Sequence, residues 1–176
     1  MLQIDQSHLK ECLSYNKYTG EFTWNTRPAR HFCMERIMKM WNTKYSGVAA
    51  GTMRKNGYVY IDIDGVGFKA HRLAMIYENG SCSLPVDHIN GNPSDNRMCN
   101  LRLATMMQNA HNRKTPVTNR TGVKGVSVHR ETGKFMASVT FNRKRTYLGL
   151  FSNLEDAAKA VSAKRAELHG EFACNG

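Results

Sequence analysis

The feature that most constrains this chain is the stretch VDHINGNPSDNRMCNLRLATMMQNAHN, residues 86–112, which holds six asparagines and sets an aspartate directly before a histidine, Asp87-His88. Val86 to Ile89 reads as a short buried strand. GNPSDN is dense in turn formers, residues that tolerate left-handed backbone or bond their own main chain. Leu101 and Leu103 flank a second strand, and Thr105-x-x-Gln108 is a capping box that opens a helix, with Met106, Met107 and Ala110 expected to face inward. The local order is strand, loop, strand, helix, which points to an α+β fold.

Upstream, SHLKECLSYNKYTGEFTWN predicts a short helix opened by Ser7, then a Tyr-Thr-Gly turn into the strand EFTW. After the basic, Met-rich MERIMKMW, Val59, Ile61 and Ile63 alternate with Tyr60, Asp62 and Asp64, which is a strand pattern ending in an Asp64-Gly65 hairpin turn. The next strand leads into a helix with Leu73, Ile76 and Tyr77 on one face, stopped at Asn79-Gly80. Beyond a polar linker, residues 123–151 show three short alternating segments separated by RETGK and NRK, the pattern of an antiparallel meander. One helix follows, capped by Asn153, ended by Gly170, with Ala157, Ala160, Val161 and Leu168 near one face.

Composition narrows the classes. With 41% hydrophobic side chains the 176 residues can build one compact domain or two small ones. Residues 1–110 carry thirteen basic and nine acidic groups, residues 111–176 twelve and five, so the last third is the stronger polyanion-binding candidate. The five cysteines (Cys12, Cys33, Cys82, Cys99, Cys174) form no C-x-x-C pair, which indicates neither a disulfide framework nor a zinc knuckle. A reducing cytosol is expected. No apolar run approaches the roughly 20 residues that span a bilayer, so no membrane partner is expected.

Phosphodiester hydrolysis needs an activated water and neutralisation of charge on the phosphate. A neutral histidine supplies the base, and a hard divalent cation takes oxygen ligands such as a carboxylate and an amide. Asp87, His88 and Asn109 are the right residue types. Strand alternation places Asp87 and His88 on opposite faces, so a twist or bulge is needed to bring both to one phosphate.

Residues 71–113, with the pattern DHINGNxxDNRxxNLRxxTxxxNxxN, resemble the His-Asn-His (HNH) endonucleases of phage and homing type. The resemblance implies a ββα-metal (His-Me finger) module in which Asp87 and Asn109 bind one divalent ion, Mg²⁺ or Mn²⁺, with no zinc expected. It makes His88 the general base and Asn100 the residue that braces the loop and orients it. Asn96, Arg97 and Arg72 match positions that are structural or contact phosphate, and His71 matches a packing position.

Residues 120–173, with VKGVSVHRETGKFMASV and YLGLFSNLEDAAKAVSAKRAELHG, resemble the plant ethylene-response-factor (APETALA-type) DNA-binding domain, a three-stranded sheet packed on one helix. The resemblance places DNA-facing positions at Lys124, Ser127, His129, Ser138, Thr140, Arg145 and Tyr147. Arg130, Lys134, Arg143 and Lys144 are neighbouring phosphate-contact candidates. Phe135, Val139 and Phe151 are expected in the core. Residues 1–50 resemble the lead-in of the same phage nucleases (LSYNKYTGEFTW), where Arg27, Arg30, Arg36 and Lys39 are either DNA contacts or an ordinary solvated face.

The expectation is four segments: a lead-in at 1–54, an HNH module at 55–113, a linker at 114–119 and a DNA-binding domain at 120–176. The implied protein is a metal-dependent DNA endonuclease, homing type, that nicks double-stranded DNA as a monomer in the cytoplasm of a phage-infected host. A dimer is the alternative assembly, and no small-molecule cofactor is expected. The alternative function is a DNA-binding regulator that keeps the HNH unit as scaffold.

Overall fold

The computed structural model describes residues 4–111 and 118–170, which form two units dividing between Ala104 and Thr105. The linker expected at 114–119 falls mostly outside the described residues.

The first unit opens with α1 (Gln6–Cys12). Its cap is Asp5 rather than the expected Ser7: the Asp5 carboxylate accepts from the main-chain N–H of Ser7 and His8, which places Ser7 inside the first turn. Next come β1 (Leu13–Asn16) and β2 (Glu21–Trp24), antiparallel neighbours, with β3 (Ala49–Ala50) on the far side of β2. The Met-rich segment becomes α2 (Glu35–Tyr45), which buries none of its residues but sets Trp41 edge-on against Trp24 with ring centroids 5.2 Å apart.

A second sheet contains β4 (Thr52–Met53), β5 (Val59–Ile63) and β6 (Val66–Lys69). The β5–β6 hairpin turns at Asp64-Gly65 with φ of 51° and 78°, as two-residue hairpins require. Ile61 and Ile63 face in, as the alternation predicts, and meet Leu73 and Ile76 of α3 (Ala70–Asn79), which ends on left-handed Gly80. The last pair is β7 (Val86–His88) with β8 (Leu101–Leu103). The first of these is one residue shorter than expected, since Ile89 turns out to solvent.

One core joins Leu9, Leu13 and Phe22 to Ile61, Leu73, Val86 and Leu101. The division expected after residue 54 therefore has no counterpart in the packing. Burial of such side chains contributes about 1.5–3 kcal/mol each.

The second unit begins with α4 (Met106–His111), whose capping box forms in both directions: Thr105 N–H donates to Gln108 Oε1 at 2.8 Å, and Gln108 N–H to Thr105 Oγ1 at 3.2 Å. Met106 and Met107 do not face inward as expected; they are 83% and 50% exposed. Six residues make under two turns, too short for a continuous buried stripe. The meander is β9 (Val126–Val128), β10 (Phe135–Phe141) and β11 (Lys144–Phe151), with β10 central. Against it lies α5 (Leu154–His169), capped by Asn153, whose Oδ1 accepts from Asp156 N–H at 2.8 Å. Ala157 and Val161 meet Val126, Ala137 and Val139 in a separate core, edged by Phe135 and Phe151 as expected.

Candidate active site

The asparagines of the central stretch build a loop. Between β7 and β8, Asn100 accepts from Asn90 N–H (3.0 Å) and donates to Asn90 Oδ1 (3.1 Å) and the Asp95 carbonyl (2.9 Å). Asn90 in turn accepts from Asn92 N–H and donates to the Asp95 carboxylate, while Asn92 accepts from Ser94. Short amides satisfy main-chain groups that no ladder reaches. Asn100 thus cross-ties the two ends of the loop, and Ile89 N–H closes on its carbonyl at 2.9 Å.

The N-terminal hairpin supports this loop from below. Tyr15 Oη donates to the Asn96 carbonyl at 2.6 Å, and Met98 N–H to the Lys17 carbonyl at 3.0 Å. Gly20, at φ 78°, lies so close that a Cβ there would sit 2.5 Å from Arg97 N and 2.6 Å from Asn96 C. Only glycine permits that approach.

Asp87 and His88 are both buried, at 4% and 6% exposure, and no bulge interrupts β7. Asp87 stands directly opposite Arg102 on β8, whose Nε and Nη2 both reach its Oδ2 at 2.9 Å. His88 meets the loop, with Nε2 at 3.4 Å from Asn96 Oδ1, and packs beside Tyr58 and His71, the His71 ring centroid 4.9 Å away and nearly perpendicular. Burial lowers the His88 imidazole below its ordinary value, against the opposing pull of Asn96, Asp87 and Asp95. Its neutral, proton-accepting form is therefore favoured at physiological pH. His71 is buried as its packing position suggests; burial, helped by His88 and Lys69, pushes it down to about 3, and its Nδ1 has no hydrogen-bond partner.

The other expected residues divide. Arg97 turns onto Asp95 with two bonds of 2.8 and 2.6 Å, which hold that carboxyl at about 2. Arg72 donates to the Cys82 carbonyl at 2.8 Å and so ties α3 to the segment before β7. Asn109 lies on α4 in the second unit. Arg27 is not on a solvated face: it is 5% exposed, bonded to Asp64 Oδ1 at 2.6 Å and seated over Phe32 and Trp41. Arg30 pairs with Glu11 and Lys39 with Glu35, while Arg36 is exposed. Arg102, Tyr15 and Tyr58 were not foreseen; Arg102 alone had a signal, its place opposite Asp87 once the two strands are paired in register.

In the second unit the strand register puts Ser127, Ser138, Thr140, Arg145 and Tyr147 on the sheet face away from α5. Arg145 Nε donates to Ser138 Oγ at 3.0 Å. Arg130 and Lys134 lie exposed around the β9–β10 turn, and Arg143 and Lys144 at the β10–β11 turn, where Asn142 and Arg143 both have positive φ. His129 is partly buried, its Nδ1 3.1 Å from Thr132 Oγ1, and Lys124 precedes β9.

A two-stranded pair carries a buried aspartate and histidine under an asparagine-braced loop, and the family comparison assigns this stretch to a nuclease class. The family model "HNH endonuclease" matches residues 68–111. Protein 3.8 of Escherichia phage T7 is 40% identical over 106 residues, covering 58% of this chain and 87% of that protein. An uncharacterized HNH endonuclease of Acanthamoeba polyphaga mimivirus is 38% identical over 88 residues, 50% of this chain and 44% of its own length. Among solved structures, a chain from "DNA binding and cleavage by the HNH homing endonuclease I-HmuI" matches with 26% identity and a TM-score of 0.41, over 64% of this chain and 57% of that one. This chain belongs to the HNH endonuclease family, and it spans less than half of the mimivirus relative.

Proposed function

We propose that this HNH endonuclease hydrolyses phosphodiester bonds of double-stranded DNA, with His88 as general base, and nicks one strand as a monomer. The observation that carries the reading is the buried His88, kept neutral beside Asp87 and covered by a loop that Asn100 ties shut. His88 takes a proton from water, the resulting hydroxide oxygen bonds to phosphorus, and the P–O3′ bond breaks. The products are a 5′-phosphate and a 3′-hydroxyl, the 3′ oxygen gaining a proton from solvent.

A carboxylate presented on a fixed strand pair beside a neutral imidazole is the oxygen donor that hard divalent cations select, so the residues fit the metal that HNH nucleases generally use. Asp87 would hold it, with Asn109 the second ligand that the family resemblance implies, Mg²⁺ the favoured ion and Mn²⁺ acceptable. Bound there, it would neutralise charge on the scissile phosphate and the departing oxygen. Arg102 keeps the Asp87 carboxylate in place.

The sheet of the second unit would target the enzyme, as its resemblance to the ethylene-response-factor domain implies. A β-ribbon fits the major groove, and Ser127, Ser138, Thr140, Arg145 and Tyr147 share the face that would enter it. Lys124, His129, Arg130, Lys134, Arg143 and Lys144 would contact the flanking backbone. The test is conversion of supercoiled plasmid to open circle with Mg²⁺, with Mn²⁺ and with EDTA. Nicking that needs the metal and is lost in His88→Ala, at unchanged DNA affinity, is the expected result. Cleavage that survives His88→Ala would overturn the assignment of the base, and linear DNA as the first product at limiting enzyme would overturn the monomeric nickase.

A further inference from the structure

A second cluster of metal-ligand side chains lies away from the catalytic pair, where α1 meets the turn after β2. His8 and Cys12 stand one helical turn apart on α1, and His31 ends the short 3₁₀ turn Ala29–His31. Cys12 Sγ is 3.7 Å from His8 Nε2 and 3.9 Å from His31 Nδ1, and one donor atom from each of the three lies within 4.8 Å of the others. Tetrahedral zinc with about 2.3 Å to sulfur and about 2.05 Å to nitrogen separates such ligands by about 3.5 Å. The two sulfur–nitrogen spacings need only a few tenths of an ångström of closure.

The surroundings have the form of a built site. His31 Nε2 is 2.8 Å from Glu11 Oε2, an arrangement that puts the ring proton on Nε2 and leaves the Nδ1 lone pair directed at the cluster. His8 Nε2 is 2.7 Å from Asp64 Oδ2, a contact that would open as Nε2 takes the metal. Arg27 Nε donates to His31 Nδ1 at 3.1 Å. That bond would give way to the metal, while the guanidinium keeps Asp64 Oδ1 and its place over Phe32 and Trp41.

We propose that His8, Cys12 and His31 form a zinc-class site distinct from the catalytic centre, with water as the fourth ligand. A thiolate and two imidazoles select a softer ion than the oxygen donors of the nuclease site, so the two centres would take different metals. Cys12 binds as thiolate and its proton passes to solvent; no electron transfer is involved. The ion would tie α1 to the turn after β2.

The test is titration of the full chain, stripped with a chelator, with Co²⁺ followed by Zn²⁺. A thiolate-to-cobalt charge-transfer band reports sulfur ligation alone and is silent to ions at the nuclease site. One equivalent of Co²⁺ should develop the band, Zn²⁺ should bleach it, and a Cys33→Ser/Cys99→Ser chain should keep it. Cys12→Ser should lose it. Because Cys12 is in the core and its variant can fail to fold, His8→Gln, at a position about one-third exposed, is the second arm; it should weaken Co²⁺ binding by more than about tenfold. Absence of the band in the wild-type chain, its persistence in Cys12→Ser, or a smaller effect in His8→Gln would overturn the site.

Discussion

Asp87 and Arg102 face each other across the β7–β8 pair, and both guanidinium bonds converge on a single carboxylate oxygen at 2.9 Å. Removing the cation from a buried pair leaves a charge in a medium that solvates it poorly. Arg102→Leu should therefore cost about 3–5 kcal/mol of stability in chemical denaturation. The double variant with Asp87→Leu should recover part of that loss. If Arg102→Leu is neutral, the guanidinium does not hold the carboxylate.

Asn100 makes three hydrogen bonds that tie the loop ends together but is not itself expected to touch the reacting atoms. Asn100→Ala should lower stability by about 1–3 kcal/mol. It should also slow nicking by about 10² through a displaced His88, with little change in DNA affinity. Equal losses in kcat and affinity would instead place Asn100 at the DNA.

His71 titrates at about 3 in the folded chain and near 6.5 when unfolded, so between those values the unfolded chain binds more protons. The folded state is then fully favoured above pH 6.5 and loses stability as pH falls toward 3. His88 is shifted in the same direction, so it contributes to the same slope. Tm measured from pH 7 to pH 4.5 should fall, and His71→Phe should flatten the profile in that window. An unchanged slope in the variant would show that His71 is not the titrating group.

Arg145 and Tyr147 share the exposed sheet face of the second unit. Arg145→Ala should weaken DNA binding, and if the contact is to phosphate the slope of log affinity against log salt should fall by about 0.9. Nicking at saturating enzyme should persist. Affinity unchanged in an Arg145→Ala/Tyr147→Ala chain would remove this face from the DNA interface.

Local chemistry was readable from the sequence. Asp64-Gly65, Gly80, Asn153 and the Thr105/Gln108 box act within four residues of themselves, and each does what its residue type dictates. The Asp87-His88 strand and the bracing Asn100 followed from a long motif. No bulge interrupts β7, and Asp87 and His88 meet different surroundings: β8 supplies Arg102 to one, and the loop with Tyr58 and His71 covers the other. Arg27 was misplaced for a related reason. Its partners Asp64 and Trp41 are 37 and 14 positions away, and no short pattern announces them. The His8, Cys12 and His31 cluster has no sequence pattern either, since only the fold brings position 31 to the helix carrying the other two.

The support that Tyr15, Lys17 and Gly20 give the Asn96–Met98 backbone bears on how this catalytic unit can be moved between proteins. The family motif occupies residues 68–111, yet the floor beneath its loop is laid down some fifty residues earlier in the chain. A graft of the motif alone would carry the reactive side chains without their foundation. A transplantable nuclease cassette from this chain has to carry the β1–β2 hairpin along with the motif.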